Sequence, residues 1–177
     1  MESNTNYRPG MMTGMFKDRE SAERAYNSLH ARGYSKDEIN ILMSDDTRKK
    51  HFSDTHEQTE LGNKALEGAG AGSAIGGTVG AIVGAIAAIG TTVALPGLGL
   101  LVAGPLAAGL AGAGAGGLTG GIVGALVGSG IPEERAKVYE TGVKEGGIVM
   151  GVTPRSKEDA DYLETEWKNS RGEHIYR

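Results

Sequence analysis

The sequence predicts an α+β fold that is built from both ends of the chain and interrupted by a long apolar insert. Both flanks of the 177-residue chain contain short apolar runs typical of strands and periodic stretches typical of amphipathic helices. The middle, residues 68–131, contains no Asp, Glu, Lys, Arg or His. Charged residues return at once on both sides, which indicates polar flanks and an apolar middle with different surroundings.

Composition excludes several function classes. The net charge of −4 gives no support for a nucleic-acid partner. The chain has no cysteine, which excludes a disulfide framework and a thiol site. Its first ten residues are polar and lack the apolar core of a secretory signal, so we expect residues 1–10 to be a disordered lead-in.

Residues 11–45 are predicted to form the first half of the folded domain. The apolar residues 11–16 predict a strand, and residues 39–43 predict a second one. Between them, Asp18 is a favourable N-cap and Gly33 a favourable stop for one helix. The buried face of that helix is predicted from helical spacing: Ala22, Ala25, Tyr26 and Leu29.

Residues 46–67 are polar and of mixed charge, which predicts a linker. A small basic cluster within it, Arg48, Lys49 and Lys50, has two interpretations: contact with anionic lipid on the cytoplasmic side of a membrane, or a solvated loop offset by nearby aspartates. The linker also contains four possible metal ligands, His51, Asp54, His56 and Glu57. Their spacing matches no metal motif, so we predict no metal site.

The insert, residues 68–131, is predicted to be a hairpin of two hydrophobic helices of the glycine-zipper type. Residues four apart lie on one ridge of a helix, and a ridge of glycines lets another backbone approach closely, as in membrane helices. Pro96 and Gly97 are predicted to form the turn. Two rows of glycines four apart are the predicted packing residues: Gly68, Gly72, Gly76, Gly80, Gly84, Gly112, Gly116, Gly120, Gly124 and Gly128.

The two rows belong to an internal repeat, GAGAGSAIGGTVGAIVG at 68–84 and GAGAGGLTGGIVGALVG at 112–128. A flexible glycine-rich linker is one alternative, but aliphatic residues at helical spacing argue against it. A hairpin buried inside a soluble oligomer is another, because Gly and Ala contribute little to membrane insertion.

Residues 132–177 are predicted to form the second half of the domain. Pro132 is favourable at the first position of a helix, and residues 148–152 predict a strand. Ser156 is a favourable N-cap for a second helix, and residues 174–176 predict a final short strand. The predicted buried faces of the two helices are Ala136, Tyr139 and Val143, then Ala160, Leu163 and Trp167.

With the insert and the helix after Pro132 set aside, the order is β-α-β followed by β-α-β. This is the split ferredoxin-like pattern, with four strands under two helices and the insert at the connection between the second and third strands. A hairpin insert returns to its starting point, so this arrangement also places both flanks on one side of a membrane.

Two segments resemble a known family. The segment GMFKDRESAERAYNSLHARGYSKDEINIL at 14–42 resembles the start of the bacterial general stress protein family with a YflT-like domain, also described as heat-induced or low-temperature-induced stress proteins. The segment GALVGSGIPEERAKVYETGVKEGGIVMGVTP at 124–154 resembles that family's exit from a glycine-rich insert. The resemblance implies a role in the general stress response and membrane association. It supplies no catalytic residues.

The function predicted from these observations is that of a non-enzymatic, membrane-associated stress protein that self-assembles through glycine-zipper helices. The alternatives are an oligomeric membrane pore and a soluble self-assembling or regulatory binding module. The predicted partners are membrane lipid and further copies of the chain, without nucleic acid, small-molecule substrate, cofactor or metal. The predicted location is the bacterial inner membrane with both termini cytoplasmic, and the alternative is the cytoplasm.

Overall fold

The computed structural model describes residues 10–52, 93–95, 99–107 and 121–177. These residues form one antiparallel sheet with helices on both faces, which confirms the α+β class. The six strands are β1 (Met12–Phe16), β2 (Ile39–Ser44), β3 (Val93–Leu95), β4 (Leu100–Ala103), β5 (Ile148–Val152) and β6 (Glu173–Tyr176).

The first flank folds as its local signals predict. Helix α1 (Arg19–Ala31) begins after Asp18, whose carboxylate accepts a hydrogen bond from the Ser21 backbone N–H at 2.8 Å. All four residues of its predicted apolar face are buried. The helix ends before Gly33, which has a φ of 82°. Glycine adopts that left-handed conformation without steric cost, so the chain can turn back toward β2.

The second flank also follows its sequence signals. Helices α4 (Glu133–Lys144) and α5 (Lys157–Asn169) bury the two predicted apolar faces completely. Pro132 takes the N-cap position of α4, one residue before the predicted place. Ser156 caps α5 by accepting a hydrogen bond from the Asp159 backbone N–H at 3.0 Å.

The strands lie in the order β3-β4-β2-β5-β1-β6, and every neighbouring pair is antiparallel. The two halves of the chain are therefore interleaved: β5, from the second flank, lies between β1 and β2 of the first. This pairing joins the flanks through main-chain hydrogen bonds at the centre of the sheet, so neither flank completes the sheet alone.

Alternating strand residues face two hydrophobic cores. One core packs α1 and α5 against residues such as Phe16, Ile41 and Met150. The other packs α4 and a short helix, α3 (Gly121–Gly128), against Met15, Leu42 and Val149. Thus the helix after Pro132, which the four-strand, two-helix pattern leaves aside, covers the second face of the sheet.

The prediction of a wholly helical insert is wrong between residues 93 and 103. That part of the chain forms the β3–β4 hairpin, in which Leu95 pairs with Leu100 and Val93 with Val102. Strand β4 then pairs along β2 from Ile41 to Ser44. The physical reason is that β2 would otherwise leave a row of backbone donors and acceptors unpaired at the edge of the sheet. The chain does reverse between residues 95 and 100, but between strands rather than helices.

The polar linker predicted at residues 46–67 begins as a helix. The chain continues from β2 directly into helix α2 (Asp45–Phe52), whose first turn carries Asp45 and Asp46 and whose last turn carries Lys49, Lys50 and His51. Acidic residues at the start and basic residues at the end of a helix interact favourably with the helix dipole. Most residues of α2 are polar because most of this helix faces solvent.

Candidate functional site

Two of the predicted packing glycines, Gly124 and Gly128, lie on α3. The opposite side of this helix is anchored in the core, where Ile122 and Leu126 are 5% and 2% exposed. Because residues of an α-helix follow one another at about 100°, Gly124 stands on the side away from these two anchors. A Cβ atom at Gly128 would meet no atom within 4 Å. The second glycine row therefore ends on an outward-facing surface.

The remaining site predictions fall outside the described residues. They are the row Gly68, Gly72, Gly76, Gly80 and Gly84, the first members of the second row, Gly112, Gly116 and Gly120, and the turn residues Pro96 and Gly97. Close packing by these glycines stays a prediction. Within the ranges that the structure describes, none of the helices combines the length and apolar character needed to cross a membrane.

Asn40 anchors the insert to the sheet at the point where the chain leaves β4. Its side chain is 4% exposed, and its Oδ1 accepts a hydrogen bond from the Leu106 backbone N–H at 2.7 Å. On the other side its Nδ2 donates to the Gly151 carbonyl at 3.3 Å. One buried amide thus joins strand β2 to β5 and to the segment after β4. A buried polar group that is hydrogen-bonded on both sides fixes a unique arrangement of its neighbours.

Gly104 makes this close approach possible. Its φ is 91°, and a Cβ atom at this position would lie 2.2 Å from the Ile39 carbonyl oxygen. The Ala107 backbone N–H donates to the Gly104 carbonyl at 2.9 Å and closes the turn. Only glycine combines this backbone conformation with such a short distance to a neighbouring strand.

The start of the insert is held near the same strand. The Asp45 backbone N–H donates to the Gly99 carbonyl at 2.7 Å, which joins α2 to the β3–β4 hairpin. At the other end of α2, Arg19 donates to the His51 carbonyl at 2.6 Å, and its guanidinium lies 5.1 Å from the centre of the Phe52 ring. The side chain of Phe52 is buried in the core under α1 and α5. The chain therefore leaves the domain from a fixed position at residue 52.

The basic cluster lies on α2. Arg48 and Lys49 both pair with the Asp45 carboxylate, at 3.0 and 2.7 Å. The hydrogen bonds from Lys49 and Arg48 lower the pKa of that carboxyl. Two of the three cations are thus balanced within the helix, which favours a solvated surface over a lipid contact.

Of the four possible metal ligands only His51 is described, and the described residues contain no group of acidic and histidine side chains that could hold a metal ion.

A polar cluster joins the two halves of the domain on the side of α1 and α5. The Tyr34 hydroxyl donates to Asp159 at 2.8 Å and accepts from the Arg155 backbone N–H at 2.9 Å. Asp159 also accepts from Arg32 at 2.8 Å. Arg155 lies over the Tyr34 ring at 4.4 Å and bonds to both Glu38 oxygens. The cluster connects the turn after α1 to the start of α5.

Two carboxyls of this cluster have lowered pKa values. Burial raises the pKa of Asp159, but the hydrogen bonds from Tyr34 and Arg32 outweigh it, and the net shift is downward. The Ser35 backbone N–H, together with Arg155, lowers the pKa of Glu38. Folding therefore favours the ionised forms. Their stabilising effect is complete above the ordinary carboxyl pKa values and is lost as the pH falls through the lower values of the folded state.

We expect Tyr34→Phe to lower the free energy of unfolding by about 1–2 kcal/mol at pH 7, because it leaves the Asp159 carboxylate and the Arg155 N–H without this partner. The deficit should shrink as the pH falls below the ordinary carboxyl pKa and through the lowered pKa of Asp159 in the folded wild type, because a protonated Asp159 no longer gains from this hydrogen bond. Urea denaturation at several pH values measures it. Tyr162→Phe is the control, since that ring packs under Arg32 and its hydroxyl makes no described hydrogen bond; an equal loss in both variants would contradict the assignment.

A cavity of about 210 Å³ lies where the start of β1 meets the start of α4. Arg135, on its wall, lies 4.4 Å from the centre of the Tyr176 ring and donates to the Arg177 carbonyl at 3.3 Å. The cavity is lined by Gly10, Met11, Thr13, Gly130, Ile131, Pro132, Arg135 and Arg177. Neither a carboxylate side chain nor a histidine is in this set, so the lining offers no nucleophile with an adjacent general base.

The buried tyrosines have structural roles. The Tyr139 phenol oxygen lies 2.7 Å from Thr13 Oγ1 and 2.9 Å from the His174 carbonyl, so it joins α4 to β1 and to β6. Burial raises the pKa of Tyr139, and it raises the pKa of Tyr26 to about 12. Both phenols stay protonated near neutral pH, so neither is suited to act as a base there.

Comparison with known proteins identifies no relative, because no family model, no curated protein and no solved structure matches the chain. The resemblance to general stress proteins therefore stays a prediction. The anchoring residues Asn40 and Gly104 were missed by sequence reasoning. A signal for Asn40 was present, since an amide within the apolar run of β2 needs a buried partner.

Proposed function

We propose that this chain is a non-enzymatic scaffold of the bacterial stress response, which self-assembles through its uncharged glycine-rich segments at the cytoplasmic face of the inner membrane. The observation that carries the proposal is the anchoring of these segments. Residues 53–92 lie between α2 and β3, and residues 108–120 lie between the Asn40-bound turn and α3. Each of these two segments contains an uncharged glycine-rich stretch, residues 68–92 and 108–120, and each leaves one folded domain and returns to it.

The folded domain supports a scaffold better than a catalyst. Its polar groups are used for internal contacts: the Asn40 amide, the Tyr34–Asp159 cluster and the Tyr139 phenol all hold elements together. In contrast, the outward side of α3 presents glycine and valine without charge. Uncharged surfaces that allow close backbone approach are suited to association with lipid or with other chains.

We further propose that the domain is a split ferredoxin-like fold with a two-part insert. The order β2-β5-β1-β6 supports this, because it places the third strand of the pattern between the first and second, and the fourth at the edge. The packing of α1 and α5 on one face also supports it. The β3–β4 hairpin and α3 then belong to the insert and extend the domain beyond the basic pattern.

Replacing Gly76 and Gly120 with Leu tests the proposal. The added side chains occupy both glycine rows, so we expect the variant to lose its oligomers in native mass spectrometry and to lose most of its recovery with vesicles of anionic lipid in flotation. The far-UV circular dichroism of the folded domain should be retained. Self-assembly and lipid binding are read separately, so loss of only one shows which activity depends on the rows.

The matched control is Ala69→Leu with Ala113→Leu. These two alanines occupy equivalent places in the two repeats, and their replacement puts the same leucine side chain off the glycine rows. The control should assemble and float like the wild type. Unchanged oligomers in the Gly76 and Gly120 variant would refute assembly through the rows, and a wild type that is monomeric and does not float would refute the function as a whole.

A further inference from the structure

The outward side of α3 is an apolar surface that the described residues leave open. Val127 is 42% exposed, and it is the single large hydrophobic side chain found exposed among the described residues. Gly128 beside it has open space where a side chain would stand. The other side of the helix is fixed by Ile122 and Leu126, so this surface has a defined position over β4 and α4.

We propose that this surface is covered by the first glycine repeat of the same chain, residues 68–84. The inference rests on the proposed function, since it specifies which partner the glycine row of α3 takes. The repeats match position for position: Gly76, Gly80 and Gly84 correspond to Gly120, Gly124 and Gly128. Two uncharged segments with the same ridge of glycines can approach each other closely and bury their backbones together.

The length of the connecting chain allows this contact. Residue 84 is nine residues before Val93, whose place in the sheet is fixed by its pairing with Val102. Nine residues span up to about 30 Å when extended. Val102 packs in the same core as Ile122 and Leu126. A layer packed on a sheet lies about 10 Å above it, and α3 belongs to such a layer. The extended length of the tether therefore exceeds the height of this layer above the sheet.

The same tether favours a segment of the same chain over a second copy. A segment on a short tether has an effective concentration of about 1 mM at its target. Free copies at about 1 µM are roughly a thousandfold more dilute. Pairing within the chain therefore precedes pairing between chains.

Cysteine cross-linking tests the inference, because the natural chain has no cysteine. Val83→Cys and Val127→Cys occupy equivalent positions in the two repeats. In the full-length double variant at about 1 µM, a short bismaleimide should give a cross-linked monomer of increased gel mobility, at a yield independent of protein concentration. Val83→Cys with Arg24→Cys is the control, since Arg24 lies on α1 at the opposite face of the sheet, and it should give no such product.

Mixing the double variant with a longer, tagged copy separates the possible occupants. Cross-linked dimers that include the tagged copy, without a cross-linked monomer, would show that a second copy covers α3; that result overturns the inference and leaves the proposed function standing. A third outcome is that the double variant gives no cross-link, while spin-labelled lipid quenches a fluorophore attached to the Val127→Cys variant. This result would show that lipid covers α3, and it would also overturn the inference while leaving the proposed function standing. A monomer that gives no cross-link and does not bind vesicles would overturn both proposals.

Discussion

Gly104→Ala is expected to destabilise the protein by at least about 2–3 kcal/mol, the largest effect that we expect from any single methyl group. An alanine at a φ of 91° costs energy because of its own backbone. Its Cβ would also lie 2.2 Å from the Ile39 carbonyl oxygen, a backbone atom that cannot rotate away. Relief requires the turn after β4 to move, which breaks the hydrogen bond from Leu106 to Asn40.

Gly130→Ala is the matched control, because Gly130 has a similar left-handed backbone, with a φ of 86°, but a methyl group there would meet no atom within 4 Å. It should lower the free energy of unfolding by only about 1 kcal/mol, the cost of the backbone conformation without the clash. Urea denaturation followed by circular dichroism compares the two variants. Equal stabilities of Gly104→Ala and the wild type would show that the insert is not held to the sheet at this turn.

The flanks could be predicted from the sequence because their signals are local. Asp18 and Ser156 are caps whose partners lie three residues away, and Gly33 marks a turn by its own backbone freedom. Apolar residues at helical spacing identified the buried faces of α1, α4 and α5. Such features act within one or two turns of the chain, so each could be inferred without knowing the rest of the fold.

The β3–β4 hairpin could not be predicted in the same way. Uncharged aliphatic residues such as Leu100 and Val102 fit a buried strand as well as a hydrophobic helix, and periodicity does not separate the two. The choice depends on β2, a distant strand with a free edge. The tertiary partner, rather than local preference, decides the structure of this segment.

A sequence signal for the second core did exist. Strands β1, β2 and β5 contain no charged residue, and each has apolar side chains at consecutive positions, as expected of a strand that is buried on both faces. The four-strand, two-helix pattern covers only one face of the sheet. The apolar run therefore indicates a second helical layer, which α4 provides: a Cβ atom at its Gly142 would lie 1.9 Å from the Met15 sulfur.

Neither apolar segment is expected to cross a bilayer, so that the whole chain stays on one side of the membrane. Both ends of each segment belong to one folded domain: Phe52 and Val93 flank the first, and Ala107 and Gly121 flank the second. The first contains 25 uncharged residues, 68–92. As a helix they would measure about 37 Å, or roughly 18 Å out and 18 Å back. The hydrocarbon core is about 30 Å thick.

The second segment is shorter still. Its 13 residues, 108–120, reach at most about 22 Å out and back even when fully extended. A single crossing by either segment would place β3 or α3 on the far side of the membrane, away from β4 and α4, with which they pack. Because β3 pairs with β4, and β4 pairs with β2, we expect neither the two spans that hydropathy alone predicts nor a pore lined by them.

The single variants Ala85→Cys and Ala115→Cys test this topology, one in each segment, with Glu20→Cys on the exposed surface of α1 as the control. The protein is added to the outside of preformed anionic vesicles that contain a trapped, membrane-impermeant maleimide. No position should react from the lumen until detergent opens the vesicles, while a fluorophore at 85 or 115 should be quenched by spin-labelled lipid in the outer leaflet. Reaction of the thiol at position 85 or 115 from the lumen would show a crossing, and it would require that the β3–β4 hairpin leaves the sheet when the protein meets a membrane.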